Sequence, residues 1–219
     1  MLLRDCSRFR RLTQLVLCTI AVAGCASGPT STRTGASPDA LPARASTHQR
    51  LRHVPSKAVT LYEQAVAVMA AGDLTDAELR FEEFVLQYPG YPGAHVNLAI
   101  INARAGDERA VEGHITDALI IDPQHPAALN QLGVFLRRQG KFVEAEAAYL
   151  KAVTASPDYA LAHYNLGILN ELYFQRLDAA LQHFERYQGI EGEDMQVAKW
   201  IVDLKRRLSA QQRAAKVTE

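Results

Sequence analysis

From Ala58 onward, apolar positions recur three or four residues apart with charged residues between them, the spacing of amphipathic helices. A longer period is laid over it. Pro89, Pro123 and Pro157 are separated by 34 residues, as are Leu98, Leu132 and Leu166; Pro92 and Pro126 share the interval, and Ala160 stands in the next place. Such a period marks one supersecondary unit repeated along the chain. In register the units are 58–91, 92–125, 126–159 and 160–194, each predicting two antiparallel helices.

The third unit reads P-A-A-L-N-Q-L-G-V-F-L-R-R-Q-G-K-F-V-E-A-E-A-A-Y-L-K-A-V-T-A-S-P-D-Y. Gly133 and Ala145 are small where the two helices cross, and Leu132, Leu136 and Tyr149 fill the space around the crossing. Gly140 ends the first helix, and Pro157 stops the second. One hairpin cannot bury its apolar face alone, so neighbours must stack. The first unit keeps Ala77, Phe81 and Pro89 but has Gln64-Ala65 in place of a Leu-Gly pair, a degeneration expected of an end repeat. The second has His95 and Asn102 where large apolar residues would stand, and weaker packing is expected there. In the fourth, Ala180, Phe184 and Tyr187 lag by one residue, which predicts a longer first helix or a bulged loop around 173–176. Residues 196–208 place Val197, Trp200 or Ile201, Leu204 and Leu208 on one face, as a helix that closes the open end of a stack would; the tail from Ser209 is expected to fray.

The third unit resembles the tetratricopeptide repeat, supplying Leu129, Leu132, Gly133, Leu136, Ala145, Tyr149, Ala152 and Pro157 at the places that family marks. The resemblance implies an all-α, right-handed solenoid of about four helix-turn-helix repeats over 57–194, with a capping helix and tail at 195–219. It also implies that the first helices line a concave groove for a protein or peptide. Carried over, that groove presents Tyr62 in the first unit, Asn97 and Arg104 in the second, Asn130, Gln131, Arg137 and Arg138 in the third, and Tyr164 and Asn165 in the fourth. Amides suit a peptide backbone, aromatics supply area, and arginines pair with carboxylates, so an acidic partner is expected. The amides Asn97, Gln131 and Asn165 have a second reading, as groups that make hydrogen bonds within their own repeats. The chaperone-tail binders of the family carry a lysine that this groove lacks, which argues against a C-terminal carboxylate clamp.

The first 24 residues have another character. Arg4, Arg8, Arg10 and Arg11 precede a short apolar run, 12–23, too short for the ~20 residues of a membrane span and shaped like a signal peptide. Ala21-Val22-Ala23 satisfies ordinary cleavage, whereas Val22-Ala23-Gly24-Cys25 resembles the lipobox of bacterial lipoproteins and makes Cys25 the lipidated first residue. Cys6 and Cys18 fall in the removed segment, so a mature chain has no intramolecular disulfide. From Cys25 to residue 56 the composition, with Pro29, Pro38, Pro42 and Pro55 among Ser, Thr, Gly and Ala, is that of a disordered tether. Ala26-Ser27 after the cysteine lacks the aspartate of inner-membrane retention, which implies the outer membrane, facing the periplasm.

Charge and motifs narrow the function. The 24 Lys and Arg balance 24 Asp and Glu, and removing the Arg-rich start leaves the remainder slightly acidic, which excludes a phosphate-attracting field and so nucleic acid. No G-x-S-x-G, H-E-x-x-H, C-x-x-C or Gly-rich phosphate loop occurs, so neither enzyme activity nor a cofactor is expected. The seven histidines show no metal-ligand spacing in sequence and are read as structural; His95 and His163 share one repeat position. The resemblance then points to a lipid-anchored adaptor for an envelope machine, of the kind found beside type IV pilus, secretion or TonB-type systems. Y-x-x-x-x-x-G-E-D and V-A-x-W-I-x-D-L, near the end, resemble repeat lipoproteins of the TonB kind. The alternative is a scaffold regulating a peptidoglycan hydrolase or other cell-wall enzyme.

Overall fold

The computed structural model describes residues 54–217. The signal sequence, Cys25 and nearly all of the tether lie outside the described residues. Four hairpins follow one another: α1 (Ser56–Ala71) with α2 (Leu74–Gln87), α3 (Pro92–Ala105) with α4 (Glu108–Ile121), α5 (Pro126–Arg138) with α6 (Phe142–Ala155), and α7 (Ala160–Leu172) with α8 (Leu177–Glu191). A last helix, α9 (Met195–Val217), packs on α8. Among the described residues there is no strand, and no helix is long and apolar enough to cross a membrane.

Local chemistry sets the boundaries. Pro92 and Pro126 open α3 and α5, where a missing N–H costs nothing. Asp73 and Asp107 cap α2 and α4, each accepting a hydrogen bond from the backbone N–H three residues on, at 3.0 and 2.9 Å. The turn inside each of the first three hairpins needs a left-handed residue, supplied by Gly72, Gly106 and Gly140 at φ 93°, 83° and 75°. In the fourth hairpin the same place is taken by Gln175 at φ 54°, within the longer connection 173–176. This is the bulged loop expected from the lag in register. It is held by Phe174 N–H donating to Leu169 O and Arg176 N–H to Asn170 O, at 3.2 and 2.8 Å.

The helix crossings are as tight as the small residues require. A Cβ on Gly133 would fall 2.4 Å from the Tyr149 ring, and one on Gly167 would fall 2.6 Å from Phe184. Tyr149, Phe184, Ala145 and Ala180 are fully buried at these crossings. Asn102 and Asn170, at equivalent positions of the second and fourth units, are buried yet bonded: each carboxamide donates to the carbonyl one turn back, Leu98 O at 3.0 Å and Leu166 O at 2.9 Å. The amide NH2 at that place is thus satisfied by the helix itself, while the Asn170 Oδ1 stays buried without a partner.

Helix α9 closes the stack as expected and then exceeds expectation. Val197, Ile201 and Leu204 are buried, while Trp200 stacks near Phe184 at 5.4 Å and Tyr164 at 6.0 Å, a packing anchor. Asp194 starts the helix by accepting from the N–H groups of Gln196 and Val197. Beyond Ser209 the chain remains helical to Val217 although residues 209–216 are exposed. The reason is composition: S-A-Q-Q-R-A-A-K has no Gly or Pro and mostly strong helix formers, so propensity extends a helix already nucleated by packing.

Candidate functional site

Helix α3 packs beside α5, and α5 beside α7, so the first helices of successive hairpins form one inner layer. Most of the residues expected in the groove lie on this layer, but many are engaged with one another. The carboxamide of Asn97 donates to the Tyr62 hydroxyl at 2.9 Å, and that of Asn165 to Asn130 Oδ1 at 2.9 Å. Both pairs link the fifth position of one unit to the sixth of the next, 35 residues on. Asn130 and Asn165 are buried, Tyr62 packs edge-on against Phe81 and Phe84, and burial raises the Tyr62 pKa while the Asn97 bond opposes the rise. Tyr164 continues the series at the far end, packed among Phe184, Tyr187 and Trp200. Four amides and phenols of the expected groove therefore join neighbouring repeats; hydrogen bonds within one repeat, the second reading of the sequence, do not describe Asn97 and Asn165, whose partners lie in the preceding repeat.

The second-to-third boundary lacks such a polar pair, because Val96 holds the fifth position of the second unit. Val96 is buried with Ala118 and Ala128, and Gln131 is half-buried on α5. The arginines cluster at this same boundary. Arg138 donates to Ala103 O at 3.3 Å, bringing its guanidinium to the C-terminal end of α3, where its charge suits the helix dipole. Arg104 is the next residue, exposed and in no ion pair or hydrogen bond among the described residues. Arg137 differs: it lies against Tyr149, its Nε buried and unbonded like the Tyr149 hydroxyl, and its charge offsets part of the rise in Tyr149 pKa that burial causes.

Neither Arg104, Arg137 nor Arg138 has a carboxylate partner among the described residues, whereas Lys205, Arg206 and Arg207 do. Arg207 pairs with Glu171 at 2.8 Å, Lys205 with Glu185 at 2.7 Å and Arg206 with Asp203 at 2.5 Å. The basic run 205–207 is thus paired with carboxylates, whereas Arg104 and Arg138 are among the cations that are not.

Folding also pairs histidines that are far apart in sequence. His95 Nδ1 lies 3.4 Å from His114 Nδ1 and 3.7 Å from Asp117 Oδ2. In the fourth unit His163 Nδ1 lies 3.1 Å from His183 Nδ1, and His163 Nε2 lies 3.1 Å from Pro157 O. A carbonyl only accepts, so Nε2 of His163 donates, leaving its Nδ1 to accept from His183 when both rings are neutral. Burial, and secondarily His163, pushes the His183 pKa down to about 4. Sequence spacing carries no sign of these pairs, because their members are 19 and 20 residues apart on different helices.

Two family models described as "Tetratricopeptide repeat" match the chain, at residues 62–110 and 124–190, together more than half of it. A cellulose synthase operon protein C of Xanthomonas axonopodis pv. citri is 37% identical over 87 residues, 40% of this chain and 6% of that protein. A probable biofilm formation methyltransferase WspC of Pseudomonas putida is 28% identical over 115 residues, 52% of this chain and 27% of that protein. The chain thus spans only a minor part of these curated relatives. Among solved structures, pilF of Pseudomonas aeruginosa superposes with a TM-score of 0.62 at 21% identity, covering 73% of this chain and 72% of that one. A thermophilic repeat protein of Thermus thermophilus gives 0.59 at 20% identity, covering 68% and 82%. At such identities the likeness is one of fold.

Proposed function

We propose that this chain, which belongs to the tetratricopeptide repeat family, is a lipid-anchored adaptor at the periplasmic face of the outer membrane. The observation that carries the binding part is the cationic end of the inner layer: Arg104 exposed and without a carboxylate, beside Arg138 at the α3 terminus. An arginine pair left unneutralised at a repeat boundary favours an acidic or carboxylate-bearing segment, held by charge-assisted hydrogen bonds. Half-buried Gln131, Val134 and Ile100 offer amide and apolar contacts nearby on the same helices. The Tyr62–Asn97 and Asn130–Asn165 bonds support this role by fixing the curvature of the layer rather than by touching the partner.

The anchoring part rests on the sequence, where Val22-Ala23-Gly24-Cys25 closes a signal-like segment ahead of a Pro-, Ser- and Thr-rich tether. The adaptor acts by holding a component of an envelope machine, of the type IV pilus, secretion or TonB-type class, during its assembly. Affinity capture from envelope membranes, with the wild-type chain and an Arg104→Glu chain as parallel baits, tests the proposal. A component of such a machine recovered by the wild type and lost with the variant supports it; equal recovery of every protein by both baits refutes it, and a cell-wall hydrolase lost with the variant redirects it to the scaffold alternative.

A further inference from the structure

The two histidine pairs occupy equivalent places in the second and fourth hairpins, yet their surroundings differ. In the fourth, the 3.1 Å Nδ1–Nδ1 separation is an ordinary hydrogen bond, and the residue three places after His183 is Arg186, which pairs with Asp158. In the second, the separation is 3.4 Å, too long for a good N–H···N bond, and the residue three places after His114 is Asp117. Two imidazole nitrogens on one tetrahedral ion at about 2.0–2.1 Å each are about 3.3–3.4 Å apart. The second hairpin holds its nitrogens at that spacing and adds a carboxylate.

We propose that His95, His114 and Asp117 form a site for a divalent transition-metal ion of the zinc class, which clamps α3 to α4. Their candidate ligand atoms lie within 4.8 Å of one another. His114 and Asp117 are three residues apart on α4 and share a face, while His95 reaches across from α3. The His95 side chain is only 13% exposed and so has few rotamers open to it; the Asp117 side chain is 54% exposed and free to close the 3.7 Å gap to His95 by tenths of an ångström. Two imidazoles and one carboxylate suit Zn²⁺ and its neighbours rather than Ca²⁺ or Mg²⁺, and leave the fourth tetrahedral position to water. Metal binding here stiffens the hairpin whose α3 carries Arg104 in its last turn.

The test is titration of the chelator-treated full chain with Zn²⁺ against a chromophoric competitor, and with Co²⁺ followed by visible absorption. One strong site is expected, with Co²⁺ bands of a four-coordinate ion and without the near-ultraviolet thiolate band that Cys6, Cys18 or Cys25 would produce. Asp117→Asn and His114→Gln should each weaken binding at least ~10-fold, while His183→Gln leaves it unchanged. Circular dichroism accompanies each variant; should His114→Gln lose helicity, the exposed Asp117→Asn alone decides. Zn²⁺ uptake by the wild type no greater than by a His95→Gln/His114→Gln chain overturns the proposal, as does a site abolished by His183→Gln or carrying the thiolate band.

Discussion

The side chain of Asn165 donates to Oδ1 of Asn130 at 2.9 Å across the boundary between the third and fourth hairpins, with both residues buried. Asn165→Ala leaves the Asn130 oxygen buried without its donor, a cost of about 1–3 kcal/mol. Asn130→Ala leaves the Asn165 amide in the same position. In denaturant melts of both singles and the double variant, the double should lose less than the sum of the singles. Strict additivity would show that the bond contributes nothing to coupling the repeats.

Gly133 faces the Tyr149 ring so closely that there is no room for a Cβ. Gly133→Leu must displace Tyr149 or separate α5 from α6, an overpacking cost of about 1–3 kcal/mol or more. Thermal denaturation followed by circular dichroism should show a lower midpoint. An unchanged midpoint at full helicity would contradict the placement of that crossing.

Stability should also depend on pH through His183. Its pKa falls from 6.5 to about 4 on folding, so between these values the unfolded chain binds a proton that the folded chain does not. The stabilisation is complete above pH 6.5 and is lost as pH drops toward 4; the depressed values of His95 and His125 act in the same direction. Chemical denaturation at a series of pH values should show this decline, and His183→Gln should make it shallower. An equal slope for variant and wild type would mean that the His183 ring is not held neutral by its site.

Cys25 is the premise of the anchor. Cys25→Ala should abolish palmitate labelling and move the protein from the membrane to the soluble periplasmic fraction, because acyl chains contribute ~0.8 kcal/mol per buried CH₂. A variant that stays with the membrane, beside a wild type that takes up no palmitate, would remove the lipid from the account.

The hairpins are legible in the sequence because their determinants are local or periodic: Gly133 under Tyr149, Pro126 at a helix start, and a lag of one residue before Ala180 that becomes the loop at Gln175. The groove is legible only in outline. Whether Asn97 meets solvent or Tyr62 depends on how one repeat is rotated on the next, a packing outcome that no single unit encodes. A signal is nonetheless present, since Tyr62 with Asn97 and Asn130 with Asn165 recur at the same 35-residue interval. Arg137 and Arg138 are consecutive in sequence, but the helix turns one toward Tyr149 and the other toward Ala103 O. The helix after Ser209 runs against the expected fraying because exposure alone does not end a helix whose composition favours it.

The affinity of the captured partner for the Arg104→Glu chain tests the central claim most directly. Arg104 has no partner to lose among the described residues, so the substitution changes the groove's charge without breaking a contact of the fold. Titration of the purified partner should show binding at least tenfold weaker than wild type, about 1.4 kcal/mol, and wild-type affinity should fall with added salt. Lys151→Glu, an equal change of charge at an exposed residue of α6, should bind as wild type does. Equal affinity of the Arg104→Glu and wild-type chains would contradict the account and move the binding site off the cationic end of the groove.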